Sequence, residues 1–137
     1  MKILELGSGQ GEVMAQLCLI GHDVEAIDKN PGFFGGRKMN AYEIDEFFKE
    51  KFDMVLLQMP LGFDINKIVK KVLSVLSKGG VFYVVTEKNE IVDDLKNTWK
   101  GKIEYGIRED IPLSYLAQTI VTTNVVCELI GVQCLAS

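Results

Sequence analysis

The ten residues from Lys2 to Gly11, K-I-L-E-L-G-S-G-Q-G, restrict the fold more than any other part of the chain. Ile3, Leu4 and Leu6 make a short apolar run of the kind that forms a buried parallel strand. Gly7, Gly9 and Gly11 follow at alternate positions. A helical pattern then runs over residues 12–20, with Val13, Met14, Leu17 and Cys18 on one face and Gly21 as its stop. Strand, glycine turn and helix in that order let a backbone approach a nucleotide-like ligand closely. A second strand is expected over residues 23–28 and ends in an acid, Asp28.

The charges beside the glycines select the ligand. A dinucleotide site presents backbone N–H groups and a helix N-terminus to an anionic pyrophosphate. Here Glu5 and Glu12 stand on either side of the glycines, where they oppose an anion and favour a cation. The spacing is G-x-G-x-G rather than G-x-G-x-x-G, with Glu12 where the third dinucleotide glycine belongs. These residues suit a ligand with a ribose, an adenine and a cationic amino-acid tail. E-L-G-S-G-Q-G matches the E/D-x-G-x-G-x-G motif of the class I S-adenosylmethionine-dependent methyltransferases at every fixed position, and the chain resembles that family.

The resemblance implies a set of roles. Gly7, Gly9 and Gly11 permit close approach of S-adenosylmethionine, with Ser8 beside them, and Glu5 fixes the loop and balances the cationic tail. Asp28, at the end of the second strand and followed by Lys29, takes both ribose hydroxyls; each hydrogen bond to a charged acceptor contributes about 1.5–3 kcal/mol. Asn40-Ala41 is similar to the Asp-Ala pair that reads the adenine amino group. At the end of the fourth strand, Gln58-Met59-Pro60-Leu61 resembles the N-L-P-Y and N-P-P-Y tetrads of base and amino-group methyltransferases. Gln58 and Pro60 are therefore the catalytic candidates, Gln58 facing both the methyl group and the acceptor. Gln keeps the amide one methylene further out, whereas Leu61 removes the aromatic platform, for which Phe63 is a substitute. L-x-x-L-S-K-G-G-V-F from Leu73 is similar to the helix, turn and strand that the family often writes L-K-P-G-G.

Two departures from the family pattern stand out. N-P-G-F-F-G-G over residues 30–36 cannot make the long helix usual after the second strand, and Phe33-Phe34 reads as an apolar flap. Met1 abuts the first strand, so the covering helices that precede it in the family are not expected, nor is a signal peptide. The site reads as open, and a homo-oligomer or partner subunit is expected to cover it.

The other elements follow from periodicity. A short strand at 37–39, a helix at 43–50, a strand at 54–58, a strand at 81–85, a helix within 87–100 and a strand within 102–107 are expected. The clearest helix, capped by Asp64 and running to Ser77, carries Ile65, Ile68, Val69, Val72, Leu73 and Leu76. Residues 114–129 allow a helix, but their β-branched content favours a final antiparallel strand over 121–129. The fold class is α/β: one Rossmann-like doubly wound sheet, mostly parallel, with an antiparallel C-terminal strand. At 137 residues the chain is expected to be a single domain, and 47% hydrophobic residues is enough for a packed core. A net charge of −4 argues against broad nucleic-acid binding. Cys18, Cys127 and Cys134 lack metal-ligand spacing, so no metal is expected; they read as reduced thiols of a cytoplasmic protein. No apolar run is long enough for a membrane span.

The expected function is methyl transfer from S-adenosylmethionine to an unidentified acceptor, an amino group being one candidate. The first alternative is a catalytically inactive S-adenosylmethionine-binding subunit or sensor. A dinucleotide-binding regulatory domain is the second, because G-H-D-V-E-A-I-D-K-N-P is similar to a strand of the dinucleotide-binding domains that regulate potassium channels.

Overall fold

The computed structural model describes residues 1–32, 35–58, 60, 62–112 and 129–137. The Phe33-Phe34 flap, Met59 and Leu61 of the tetrad, Cys127 and the alternatives for residues 114–128 lie outside the described residues. The core is one seven-stranded sheet. In chain order, β1 (Lys2–Leu6), α1 (Glu12–Leu19), β2 (Asp23–Asp28) and β3 (Arg37–Lys38) lead to a 3-10 turn, Ala41–Glu43, and a single helical turn, α2 (Ile44–Phe47). Then come β4 (Phe52–Gln58), α3 (Ile65–Val75), β5 (Leu76–Thr86), α4 (Asn89–Thr98), β6 (Ile103–Tyr105) and β7 (Ile130–Leu135). The strand order is β3-β2-β1-β4-β5-β7-β6. The first five strands of that order run parallel, and β7 pairs antiparallel with both β5 and β6.

Alternation along the strands splits the core into two layers. Leu4, Leu6, Val55, Leu57, Phe82 and Val84 pack on α3 and α4 through Ile68, Val72, Leu95 and Trp99. Ile3, Met54, Leu56, Tyr83 and Val85 face the other way, onto Val13 and Leu17 of α1 and onto Ile111. Burial on both faces explains why β4 reads as a continuous apolar run rather than as an alternating strand, and why Glu5 alone interrupts the run in β1. In α3 the buried stripe is Ile65, Ile68, Val69, Val72 and Val75, each burial contributing roughly 1.5–3 kcal/mol. Leu73 falls off that stripe and is 48% exposed.

Several elements differ from the sequence reading. The helix expected over 43–50 is only the single turn α2 after the 3-10 turn: Phe48 leaves it in an extended backbone, and Phe47, expected inward, is 49% exposed. On α1 only the Val13 and Leu17 pair is buried, and Cys18 is exposed rather than in the core. β5 starts five residues early: Leu76 pairs with Phe52, and residues 77–80 bulge out before Val81 pairs with Met54. The strand expected over 121–129 falls, apart from Leu129, outside the described residues, and the last described strand lies at Ile130–Leu135. Gly131 in its middle weakens the sequence signal, yet the position needs it, since a Cβ there would collide with the Gly106 carbonyl.

The segment from Gly106 to Pro112 crosses the α1 side of the sheet. The Arg108 N–H donates to the buried Tyr83 hydroxyl at 2.9 Å, and Ile111 is 2% exposed. Thus a stretch of irregular chain covers sheet that α1 alone leaves open.

Candidate functional site

The C-terminal ends of β1, β2 and β4 bring together the glycine loop, Asp28 and Gln58, at the edge where parallel sheets hold ligands. Gly7, Gly9 and Gly11 take φ values of 74°, 55° and 90°, a region closed to most side chains. Gly11 is the residue before α1, so its left-handed backbone turns the loop into the helix. Gly7 and Ser8 both donate N–H groups to the Ile27 carbonyl, at 2.9 and 3.0 Å, which clamps the loop onto β2.

Asp28 holds the loop from the other side. Its Oδ2 accepts the Gly9 N–H at 2.9 Å and its Oδ1 accepts the Asn30 N–H at 2.8 Å. Each carboxylate oxygen has two lone-pair sites, so both retain capacity for a ligand hydroxyl. Gly32 and Gly35 pack back against the glycine loop. The Gly32 N–H donates to the Gly9 carbonyl at 2.9 Å, and the buried Ser8 hydroxyl donates to the Gly35 carbonyl. A Cβ at Gly35 would run into the Gly9 carbonyl, so the glycines of this segment serve close packing.

Glu5 is 3% exposed, and alternation places it on the α1 side of β1. Its Oε1 has no hydrogen-bond partner among the described residues. Burial, reinforced by the negative charges of Glu12 and Asp28, pushes its carboxyl up to about 8. An unpartnered buried carboxyl is costly, and a cationic group is the partner that would satisfy it.

A cleft of about 190 Å³ opens beside Asp28. Of the residues singled out in the sequence, Gly7, Asp28, Lys29 and Ala41 line it. Met39, Tyr42 and Phe63 supply its apolar wall. Tyr42 and Phe63 sit with ring centroids 6.1 Å apart, and the Tyr42 hydroxyl accepts the Asp64 N–H at 2.8 Å, so helix α3 fixes the wall. Sequence reasoning passed over Tyr42 and Met39; their position on either side of Asn40-Ala41 was the available signal. Asn40 uses its side-chain carbonyl to accept the Tyr42 N–H at 2.9 Å and so caps the 3-10 turn. Its amide therefore shapes the wall through the backbone. Ser8, Gly9 and Gly11 build the loop without appearing in the cleft's lining.

Gln58 ends β4 half-buried, and its NH₂ donates to the Pro112 carbonyl at 3.1 Å. Pro60 is buried. That bond ties the active edge to the segment crossing the α1 side. Among the described residues, no cluster of His, Cys, Asp and Glu could hold a metal ion. No described helix is long and apolar enough to cross a membrane.

No family model and no curated protein sequence matches the chain. Solved structures match closely in shape. The 16S rRNA methyltransferase KamB superposes with a TM-score of 0.71 at 12% identity, over 99% of this chain and 87% of that one. The plantazolicin methyltransferase BamL, solved with a desmethylPZN analog and SAH, gives 0.68 at 15% identity, over 98% and 76%. A SAM-dependent O-methyltransferase from Thermotoga maritima gives 0.68 at 18% identity, and the chain spans 98% of itself but 58% of that protein. With its strand order and its antiparallel β7, the chain has the fold of the class I S-adenosylmethionine-dependent methyltransferases.

Proposed function

We propose that the protein binds S-adenosylmethionine and transfers its methyl group to an acceptor that presents a hydrogen-bond donor, an amino group being the first choice. The observation that carries this reading is a buried Glu5 with an unpartnered oxygen, close to the Asp28 that lines the neighbouring cleft. Glu5 lies close to the negative charges of Glu12 and Asp28, beside a glycine loop that in a dinucleotide site would meet an anion. That charge favours a cationic nucleoside and disfavours a pyrophosphate.

In this reading Asp28 receives the ribose hydroxyls, while Met39, Ala41, Tyr42 and Phe63 enclose the adenine. Gly7, Ser8, Gly9 and Gly11 pass beneath the amino-acid tail, whose ammonium group balances Glu5. Lys29 flanks the ribose, and Asn40 sets the adenine wall through its cap. S-adenosylmethionine supplies an already activated methyl group, so the chain's own task is alignment. Holding two reactants in line can contribute roughly 7–11 kcal/mol. Gln58 and Pro60 occupy the strand end where the acceptor arrives, and the Pro112 bond limits the orientations open to the Gln58 amide.

Catalytic silence is the second reading, favoured by Leu61 where amino-group enzymes of this form carry an aromatic residue. Two assays separate the possibilities. Calorimetry with S-adenosylhomocysteine and with NADH distinguishes a methyl-donor site from a dinucleotide site. Labelled methyl transfer onto a cell extract, fractionated into RNA, protein and small molecules, distinguishes an enzyme from a sensor. Binding of NADH but not of S-adenosylhomocysteine would overturn the proposal.

A further inference from the structure

A second cleft lies at the other end of the strands. Its volume is about 500 Å³, within the roughly 300–1,000 Å³ of small-molecule sites, whereas the cleft beside Asp28 has about 190 Å³. Val69 and Leu73 of α3 form one wall. Trp99, just past α4, and Leu135, at the end of β7, form the other. Leu135 pairs with Val81, near the start of the parallel run of β5, so this groove is far along the strands from the edge that carries Asp28 and Gln58.

The groove is built rather than loose. The Trp99 indole N–H donates to the Leu135 carbonyl at 3.1 Å, and its ring lies 6.2 Å from Phe82. At Gly101 a Cβ would come within 2.5 Å of that same carbonyl, so only glycine lets the turn after Trp99 close so tightly on β7. Leu73 is 48% exposed, although it stands on an otherwise well-buried helix, because the groove beside it has no protein filling.

Its rim is cationic. Lys70, Lys100 and Ser137, which carries the α-carboxylate, border the apolar walls, and neither lysine forms an ion pair among the described residues. The chain as a whole carries a net charge of −4, so two ammonium groups against one carboxylate at the rim of this slot mark a local excess of positive charge. An apolar slot with a basic rim matches an amphiphile that has an alkyl tail and an anionic head: the tail leaves water against Val69, Leu73 and Trp99, and the head meets the ammonium groups.

We infer that the groove between α3, Trp99 and the end of β7 is a second ligand site, which takes a free alkyl carboxylate with its head at Lys70 and Lys100. The inference stands apart from the methyl-transfer reading, since it uses none of the residues at the Asp28 edge.

Trp99 is the chain's one tryptophan, so its emission reports on the groove directly. The intact protein is titrated with hexanoate, octanoate and decanoate, all below micelle-forming concentration, and with octylammonium. The expected result is a change in Trp99 emission with affinity rising about fourfold for each methylene added to the tail. Octylammonium should leave the emission unchanged. The double variant Lys70→Glu, Lys100→Glu, with both positions exposed, should lose at least about tenfold in octanoate affinity while S-adenosylhomocysteine affinity stays as in the parent. Octylammonium binding as tightly as octanoate would reduce the groove to an unselective greasy surface and overturn the inference. So would an unaltered octanoate affinity in the charge-reversed variant, or a response to phosphatidylglycerol vesicles alone, which would make it a lipid-surface contact.

Discussion

Asp28 Oδ2 accepts the Gly9 N–H at 2.9 Å, so the acid proposed to hold the ribose also holds the glycine loop in shape. The two tasks are not separable by deleting the side chain. Asp28→Ala should weaken S-adenosylhomocysteine binding by about tenfold or more, the loss of one or two hydrogen bonds to a charged acceptor. Asp28→Asn, which keeps an acceptor oxygen for Gly9, should lose less. Isothermal calorimetry of both variants is the check, and unaltered affinity in Asp28→Ala would remove this residue from the binding site.

Stability should depend on pH through Glu5. Its carboxyl titrates near 8 in the folded chain against an ordinary value of 4.5. Between those values the native state holds a proton that the unfolded chain has lost. Stability from this source is therefore complete below about pH 4.5 and drains away as pH rises through about 8, by up to about 1.4 kcal/mol per pH unit. Glu5→Gln abolishes the dependence. Melting temperatures of parent and variant, recorded across that range, should diverge progressively, with the variant gaining relative to the parent toward the alkaline end. Parallel curves would show that Glu5 does not titrate in the folded protein.

Gly35→Ala should lower the melting temperature by several degrees. The added methyl meets the Gly9 carbonyl, and relieving an overpacked contact of that kind costs about 1–3 kcal/mol. Because the displaced atom belongs to the glycine loop, S-adenosylhomocysteine affinity should fall with it. Differential scanning calorimetry with and without the ligand reads both effects.

Gln58→Ala should act on turnover more than on binding. Labelled methyl transfer to the fraction that the parent protein labels should drop about a hundredfold, the scale seen when one positioned hydrogen-bonding group is removed. Affinity for S-adenosylhomocysteine should change by less than about tenfold. Equal losses in both quantities would assign Gln58 to the nucleoside rather than to the acceptor.

The sheet was legible because its strands are buried on both faces, so Met54 to Leu57 is apolar without interruption and Ile3 to Leu6 is broken only by Glu5. The glycine loop was legible because positive φ leaves few other residues eligible. Other features depend on neighbours distant in sequence. Nothing near Gly131 announces a strand, since the reason for that glycine is the Gly106 carbonyl, twenty-five residues earlier. Nothing near Asn40 announces that its side-chain carbonyl accepts the Tyr42 N–H and caps a turn. The Gln58 to Pro112 bond joins positions fifty-four apart and could not be read from either. Glu5 was visible as an acid beside the glycines, but its lone oxygen was not, because burial is a property of the packed sheet.

That lone oxygen links donor binding to acidity. Where Glu5 meets an ammonium group as proposed, a carboxyl that burial pushes up to about 8 should give up its proton on that contact, so docking of a positively charged nucleoside near pH 7 should release hydrogen ion into the buffer. By the same equilibrium the protein should grip its methyl donor more firmly in mildly alkaline surroundings and let it go as they turn acid.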